Sequence, residues 1–286
     1  SDAIHPHYLQ VARTYLGPAG YQIIRLPYGP DGRTDLSALP SNGELAAVAV
    51  QSPNFFGCVE DLQTVDRAVH TDPKALMIVG FSEPLAFGLY QAPGRLGADI
   101  VCGEGQSLGL PRSFGGPGVG LFACRSAYMR NMPGRLVGQT VDNQGRRGFV
   151  LTLATREQHI RREKATSNIC TNQGLCATAV AMYMATLGGT GFRRLARLNY
   201  DKAAYLRNEL HKAGVALPFS APVFNEFVIR LKGDSKKLYS QLIDKKIIAG
   251  LALDKFYPEL ENHYLLCATE TSTKADLDIL VKEMTS

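Results

Sequence analysis

Four polar or glycine-rich segments hold the residues that could do chemistry. Gln51-Ser-Pro-Asn-Phe-Phe-Gly57 follows an apolar run and puts Asn54 where a strand's carboxyl end could offer an amide to a ligand. The same Ser-Pro-Asn also makes an ordinary turn. Gly103-Glu-Gly-Gln-Ser-Leu-Gly-Leu-Pro111 has glycines reminiscent of a dinucleotide fingerprint, but at positions 103, 105 and 109. Pro111 stops any helix there, so a pyrophosphate would find no helix N-terminus, and no nicotinamide site is expected. Ser113-Phe-Gly-Gly-Pro-Gly-Val-Gly120 could turn successive backbone N–H groups one way and cradle an anion. It could equally be a tight structural turn. The fourth segment, Thr155–Gln173, carries Arg156, His159, Arg161, Arg162 and Lys164 among Glu157 and Glu163. One reading is a solvated helix face with i,i+4 pairs such as Glu157–Arg161. The other is a functional surface, because nineteen residues with few apolar positions is long for a connector.

The elements that must position these segments read as α/β. Tyr21–Leu26, Leu45–Val50, Ala75–Phe81, Ala98–Cys102 and Val119–Cys124 have the composition of strands. Between them, Glu60–His70 places Leu62, Val65 and Val69 on one helix face. Runs of Val, Ile and Ala without polar alternation suit a mainly parallel sheet, whose ligands sit beyond the carboxyl ends of the strands. After Gln173 an apolar helix, Leu175–Leu187, is interrupted by Gly188, Gly189 and Gly191, and a second helix ends at Gly214. Strands Phe227–Leu231 and Tyr264–Ala268 follow, then a helix opened by Thr273-x-x-Asp276. This pattern predicts a large α/β domain over residues 1–190 and a small α+β domain over 191–286.

Composition removes several classes. Hydrophobic residues at 45% and charged residues at 20% exclude a disordered or fibrous chain. Thirty-one Lys and Arg against 26 Asp and Glu give a net charge of +5, without the one-sided clustering of a nucleic-acid reader. The six cysteines form no Cys-x-x-Cys and read as small buried hydrophobes in a reducing compartment, so neither metal nor disulfide is expected and a cytoplasmic location is. The longest strongly apolar runs, Leu45–Val50 and Ile247–Leu253, fall short of the roughly 18 residues of a membrane helix. No signal peptide is visible, and the missing initial Met suggests a processed chain or a fragment.

Together, Asn54-Phe-Phe-Gly57, Gly103–Pro111, Gly115–Gly120, Pro133-Gly-Arg-Leu-Val-Gly138, Arg147-Gly-Phe149 and above all Thr155–Gln173 resemble the glycine-cleavage P-protein family, and within it subunit 1, the alpha half of the two-chain bacterial form. His5-Pro-His-Tyr8 with Thr14-Tyr15 is similar to that family's helix just inside the large domain. The resemblance implies the type I fold of pyridoxal-phosphate enzymes. It also implies glycine decarboxylation, with transfer of the aminomethyl group to the lipoyl group of the H-protein, and a beta-chain partner (subunit 2) that holds the cofactor covalently.

The chain departs from that pattern where the beta half has its Schiff-base lysine: Gln106 and Ser107 stand there, and no lysine occurs between Ala75 and Glu163. An amide or hydroxyl cannot replace a primary amine. No arginine follows Arg230 to grip a substrate carboxylate. The resemblance therefore implies a chain that is inactive alone, completes the pocket from across an interface, and can pair with itself when isolated. By analogy with type I enzymes, Ser113, Gly115, Gly116 and Gly118 would reach the partner's phosphate, while Asn54 and the five residues Arg156, His159, Arg161, Arg162 and Lys164 would lie at the rim or interface. A missing N-terminal stretch is also implied. The rival readings are a non-enzymatic paralogue that only stabilises other chains, and an autonomous pyridoxal-phosphate enzyme.

Overall fold

The computed structural model describes residues 1–40, 45–133, 136–153, 158–165 and 173–285. Its centre is a four-stranded sheet in the order β1 (Ala47–Gln51), β2 (Leu76–Phe81), β3 (Ile100–Glu104) and β4 (Gly120–Cys124). The first three strands are parallel and β4 is antiparallel to β3. Parallel pairing requires crossovers, and one is supplied by α2 (Leu62–Val69). Asp61 caps that helix by accepting from the Thr64 N–H at 3.1 Å, and Leu62, Val65 and Val69 are its buried face, as the spacing predicts. They join Val48, Val50, Met77, Val79 and Ala98 in one core.

The expected strand Tyr21–Leu26 does not form; the segment is extended without a ladder partner among the described residues. Only Leu26 enters the core, while Tyr21 and Ile24 stay exposed, so pairing there would bury little. Conversely, Leu136–Val141 (β5) and Arg147–Thr152 (β6) form an antiparallel hairpin, of which the sequence reads only Gly148–Leu153 as strand-like.

Past α1 (Pro6–Leu16), whose axis starts at Pro6, and the short α3 (Gln158–Arg161), the dominant helix is α4, Gly174–Lys212. Of the three glycines expected to interrupt it, only Gly188 leaves helical geometry (φ 59°, ψ 177°). Beyond that break Ala196, Asn199, Ala203, Leu206 and Leu210 make a buried stripe. Gly214 (φ +83°) ends the helix as expected, with the Val215 N–H returning to the Leu210 carbonyl at 3.0 Å. Before the break Leu175 and Met182 are exposed, and by length and composition alone α4 could cross a membrane. A search for unbroken apolar runs missed this, because threonines and glycines dilute the segment without making it polar.

A second sheet, in the order β7 (Glu226–Arg230), β9 (His263–Cys267), β8 (Leu251–Ala252), is antiparallel. It packs with α5 (Ser235–Asp244), α6 (Lys274–Thr285) and the far half of α4 around Leu206, Phe227, Ile229, Leu242 and Leu266. Thr273 opens α6 as expected, accepting from the Asp276 N–H at 3.1 Å.

Candidate functional site: a carboxylate-lined crevice

The three parallel strands present their carboxyl ends on one side, and each is followed by a polar loop. At the end of β1, Gln51 is buried; its Oε1 accepts from the His5 N–H at 2.9 Å and its Nε2 donates to the Pro53 carbonyl at 3.1 Å. The start of α1 is thereby tied over the sheet's edge, with the His5 ring edge-on to Phe55. Asn54 is fully buried. Its Nδ2 donates to the Gly32 carbonyl at 2.8 Å and to Glu60 Oε1 at 2.9 Å, and its Oδ1 accepts from the N–H groups of Phe56 and Cys58 at 3.0 and 3.1 Å. Every polar position of the amide is used inside the chain. Asn54 therefore forms the turn and is not at a rim. The turn matters for position: at Gly57 (φ +79°) an added Cβ would sit 2.1 Å from the Glu226 carbonyl oxygen, so Phe55–Gly57 abuts the start of β7.

After β2, Glu83 caps the turn Pro84–Gly88, accepting from the Leu85 N–H at 2.9 Å. Its Oε1 also accepts from the Ser107 hydroxyl at 2.8 Å, which comes from the loop after β3. Burial pushes the Glu83 carboxyl above its usual range; the two hydrogen bonds pull it back and Glu270 adds repulsion. At the mouth of β7, burial pushes Glu226 up to about 7, with Glu83 contributing. Glu270 accepts from Asn199 Nδ2 at 2.8 Å, and the Asn199 Oδ1 has no protein partner among the described residues. Cys267, paired with Glu226 across β7 and β9, is pushed up to about 12 by burial and then by the surrounding glutamates. This acidic group escaped sequence reasoning, although Ser82-Glu83-Pro84 directly follows an apolar strand just as Asn54 does. Glu226 and Glu270 are distant in sequence and meet it only through the small sheet.

After β3, N–H groups do converge on an anion, but it is the chain's own and two of the three donors lie outside the Ser113–Gly120 segment where a nest was expected. Glu104 Oε1 accepts from the N–H groups of Gly105, Gln106 and Val119 at 2.9, 2.8 and 3.1 Å. A Cβ at Gly118 would lie 3.0 Å from both Glu104 oxygens. The N–H groups of Gly115 and Gly116 both return to the Arg112 carbonyl at 3.0 Å. Ser113 and Gly115 are exposed, and Phe114 between them projects fully into solvent. Gln106 makes a long contact of 3.4 Å with the Pro111 carbonyl. Of the basic run, Arg161, Arg162 and Lys164 are exposed on α3 and the turn after it; Arg156 and the His159 side chain lie outside the described residues.

The carboxylates Glu83, Glu226 and Glu270 are coupled electrostatically, and the loop after β3 offers no amine for a covalently held pyridoxal phosphate. Gln106 and Ser107 stand after β3 in place of an amine, and the like charge of Glu83, Glu226 and Glu270 disfavours a further anion beside them. Among the described residues no cluster of His, Cys, Asp or Glu has the arrangement of a metal site.

Residues 1–284 match the family model of the glycine cleavage system P-protein. The chain is 61% identical to a probable glycine dehydrogenase (decarboxylating) subunit 1 of Desulfotalea psychrophila and 50% identical to one of Desulfitobacterium hafniense. These alignments cover 99% of the chain but 63% and 64% of the relatives, so the chain spans a little under two-thirds of their length. Among solved structures, the inhibitor-bound glycine decarboxylase (P-protein) of the glycine cleavage system superimposes with a TM-score of 0.90 at 41% identity, over 99% of this chain and 63% of that one. A cysteine desulfurase from Thermococcus onnurineus, at 14% identity and a TM-score of 0.69 over 100% of this chain and 70% of that one, is similar in fold alone: the type I fold of pyridoxal-phosphate enzymes.

Proposed function

The chain belongs to the glycine cleavage system P-protein family, and on that premise we propose that it is part of the lysine-lacking alpha half of a two-chain glycine decarboxylase. In this reading the assembly decarboxylates glycine and passes the aminomethyl group to the lipoyl group of the H-protein, with pyridoxal phosphate held covalently by subunit 2. The cofactor's ring supplies the electron sink for loss of CO2. This chain's part is to wall the site and shape the interface.

The observation that carries the reading is the loop after β3. It offers Gln106 and Ser107 in place of an amine, and its converging N–H groups are already spent on Glu104. The relatives' name, subunit 1, agrees with a second chain. Ser113, Gly115, Gly116 and Gly118 are proposed to approach the partner's phosphate from the exposed tip of that region. Arg156, His159, Arg161, Arg162 and Lys164 are proposed to order the subunit interface or steer the H-protein. We place the boundary between a large and a small domain near residue 190, beside the break at Gly188. The exposed apolar start of α4 is assigned to protein contact within a cytoplasmic assembly, with no membrane or nucleic acid involved.

The test is reconstitution. The chain in its full length, mixed with the lysine-bearing partner, should exchange CO2 with glycine, and neither chain alone should. Exchange by this chain alone, or a vitamin B6 ring fixed to it by borohydride, would favour the autonomous enzyme. A stable complex without exchange would favour the non-enzymatic paralogue.

A further inference from the structure

Outside the carboxylate crevice, a cleft of about 170 Å³ opens between α4 and the segment 222–224, lined by Tyr90, Tyr200, Ala204, Arg207, Asn208 and Phe224, with Pro222 and Val223 at its floor. Residues 200, 204, 207 and 208 fall on one face of α4, so helix geometry itself aims them into the cleft. The Tyr90 hydroxyl donates to the Val223 carbonyl at 2.8 Å, which leaves its oxygen free to accept. The lining contains a cation and no carboxylate.

Two arginines on this helix contrast. Arg197 is taken: its Nε donates to Asp201 at 2.8 Å and its guanidinium lies 5.8 Å over the Tyr200 ring. Arg207, partly buried, is in none of the ion pairs among the described residues. Its field instead reaches Cys58, where it opposes the effect of burial on the thiol. A partly buried guanidinium that lines a cleft without an anion has donors that a bound carboxylate would engage.

We propose that this cleft binds a small organic carboxylate, gripped by the fork of Arg207, with its apolar body against Val223 and Pro222. One planar cation matches the two oxygens of a monoanion, whereas a phosphate dianion is usually met by several cations or N–H groups. The half-apolar wall favours a body that an inorganic anion lacks. This inference is independent of which functional reading holds for the carboxylate crevice.

The experiment uses the full chain and benzoate as probe, read by saturation-transfer NMR, with inorganic phosphate as competitor. Benzoate should bind saturably, and phosphate should displace it only at far higher concentration. Arg207→Met should weaken benzoate binding by about tenfold or more, the loss expected for a charge-assisted contact. Arg207→Lys, which keeps the charge and should fold even if Arg207→Met does not, should weaken it less. Arg197→Met should leave it unchanged. Absence of saturable binding, equal binding by both Arg207 variants and the parent, equal loss in Arg197→Met, or phosphate competing as well as benzoate would each overturn the proposal.

Discussion

The Ser107 hydroxyl donates to Glu83 Oε1 at 2.8 Å, joining the loop after β3 to the loop after β2. The loop after β3 thus supplies a neutral donor to a partly buried acid. That acid also repels Glu226, so the bond links the centre of the large sheet to the mouth of the small one.

Ser107→Ala should therefore act through Glu83. Burial already raises that carboxyl, and the Ser107 hydrogen bond is one of two that restrain it. Without it, the ionised form loses a charge-assisted donor worth roughly 1.5–3 kcal/mol, and the neutral form loses less. The expected result is a larger loss of stability at pH 8 than at pH 4 in chemical denaturation. Equal losses at both pH values would mean that Glu83 stays neutral throughout.

Glu226 gives the chain a second pH dependence with a defined sign. Its folded pKa, about 7, lies above the ordinary value of 4.5, so the folded state holds the proton more tightly. Its contribution is fully present below pH 4.5 and is lost as pH rises through 7. Glu226→Gln should flatten the fall in stability over that window, by a difference of roughly 1–3 kcal/mol between its ends. A parent curve rising over that interval, with the variant parallel to it, would contradict the assignment.

At the opposite end of the sheet, His70 is clasped between Asp66 (Nδ1 to Oδ1, 2.7 Å) and Asp99 (Nε2 to Oδ2, 3.0 Å). Asp99 also accepts from the Met77 N–H at 2.9 Å, so the clasp fastens α2 to the entrance of β2. Burial lowers the imidazole pKa, but the hydrogen bonds to Asp99 and Asp66 outweigh it and the net shift is upward. The clasp should stabilise fully below the unfolded value, about 6.5, and fade as pH climbs past the folded one. His70→Gln should thus cost more in melting temperature at pH 5.5 than at pH 8.5; the reverse order would exclude a charged clasp.

The exposed cations after β6 give a kinetic prediction. If Arg161 and Lys164 steer an acidic lipoyl protein, Arg161→Gln with Lys164→Gln should slow association several-fold at low salt and little at high salt. Stopped-flow rates with an unchanged salt slope would return this run to an ordinary solvated face.

The elements were largely legible because local patterns report local burial. The stripe Leu62, Val65, Val69 and the stop at Gly214 needed no partner to be recognised. Tyr21–Leu26 misled because strand composition counts only if a neighbouring edge is free and a face is covered, neither of which its residues encode. The hairpin of β5 and β6 was half missed, since Leu136–Val141 is broken by Gly138 and carries little strand signal. At the site, the position of the missing amine was readable from residue identity. The use made of the nearby polar groups was not.

The amino-acid order by itself determined the family, the α/β alternation and the lack of a nucleophilic amine after β3, because these depend on residue type and near spacing. Tertiary structure alone decided that Asn54 is consumed within a turn, and that the glycine-rich loop closes on Glu104. It alone brought Glu83, Glu226 and Glu270 within electrostatic reach of one another. The reason is physical: hydrogen-bond partners and the dielectric around a charge are set by groups far apart along the chain, which only folding brings within a few ångströms.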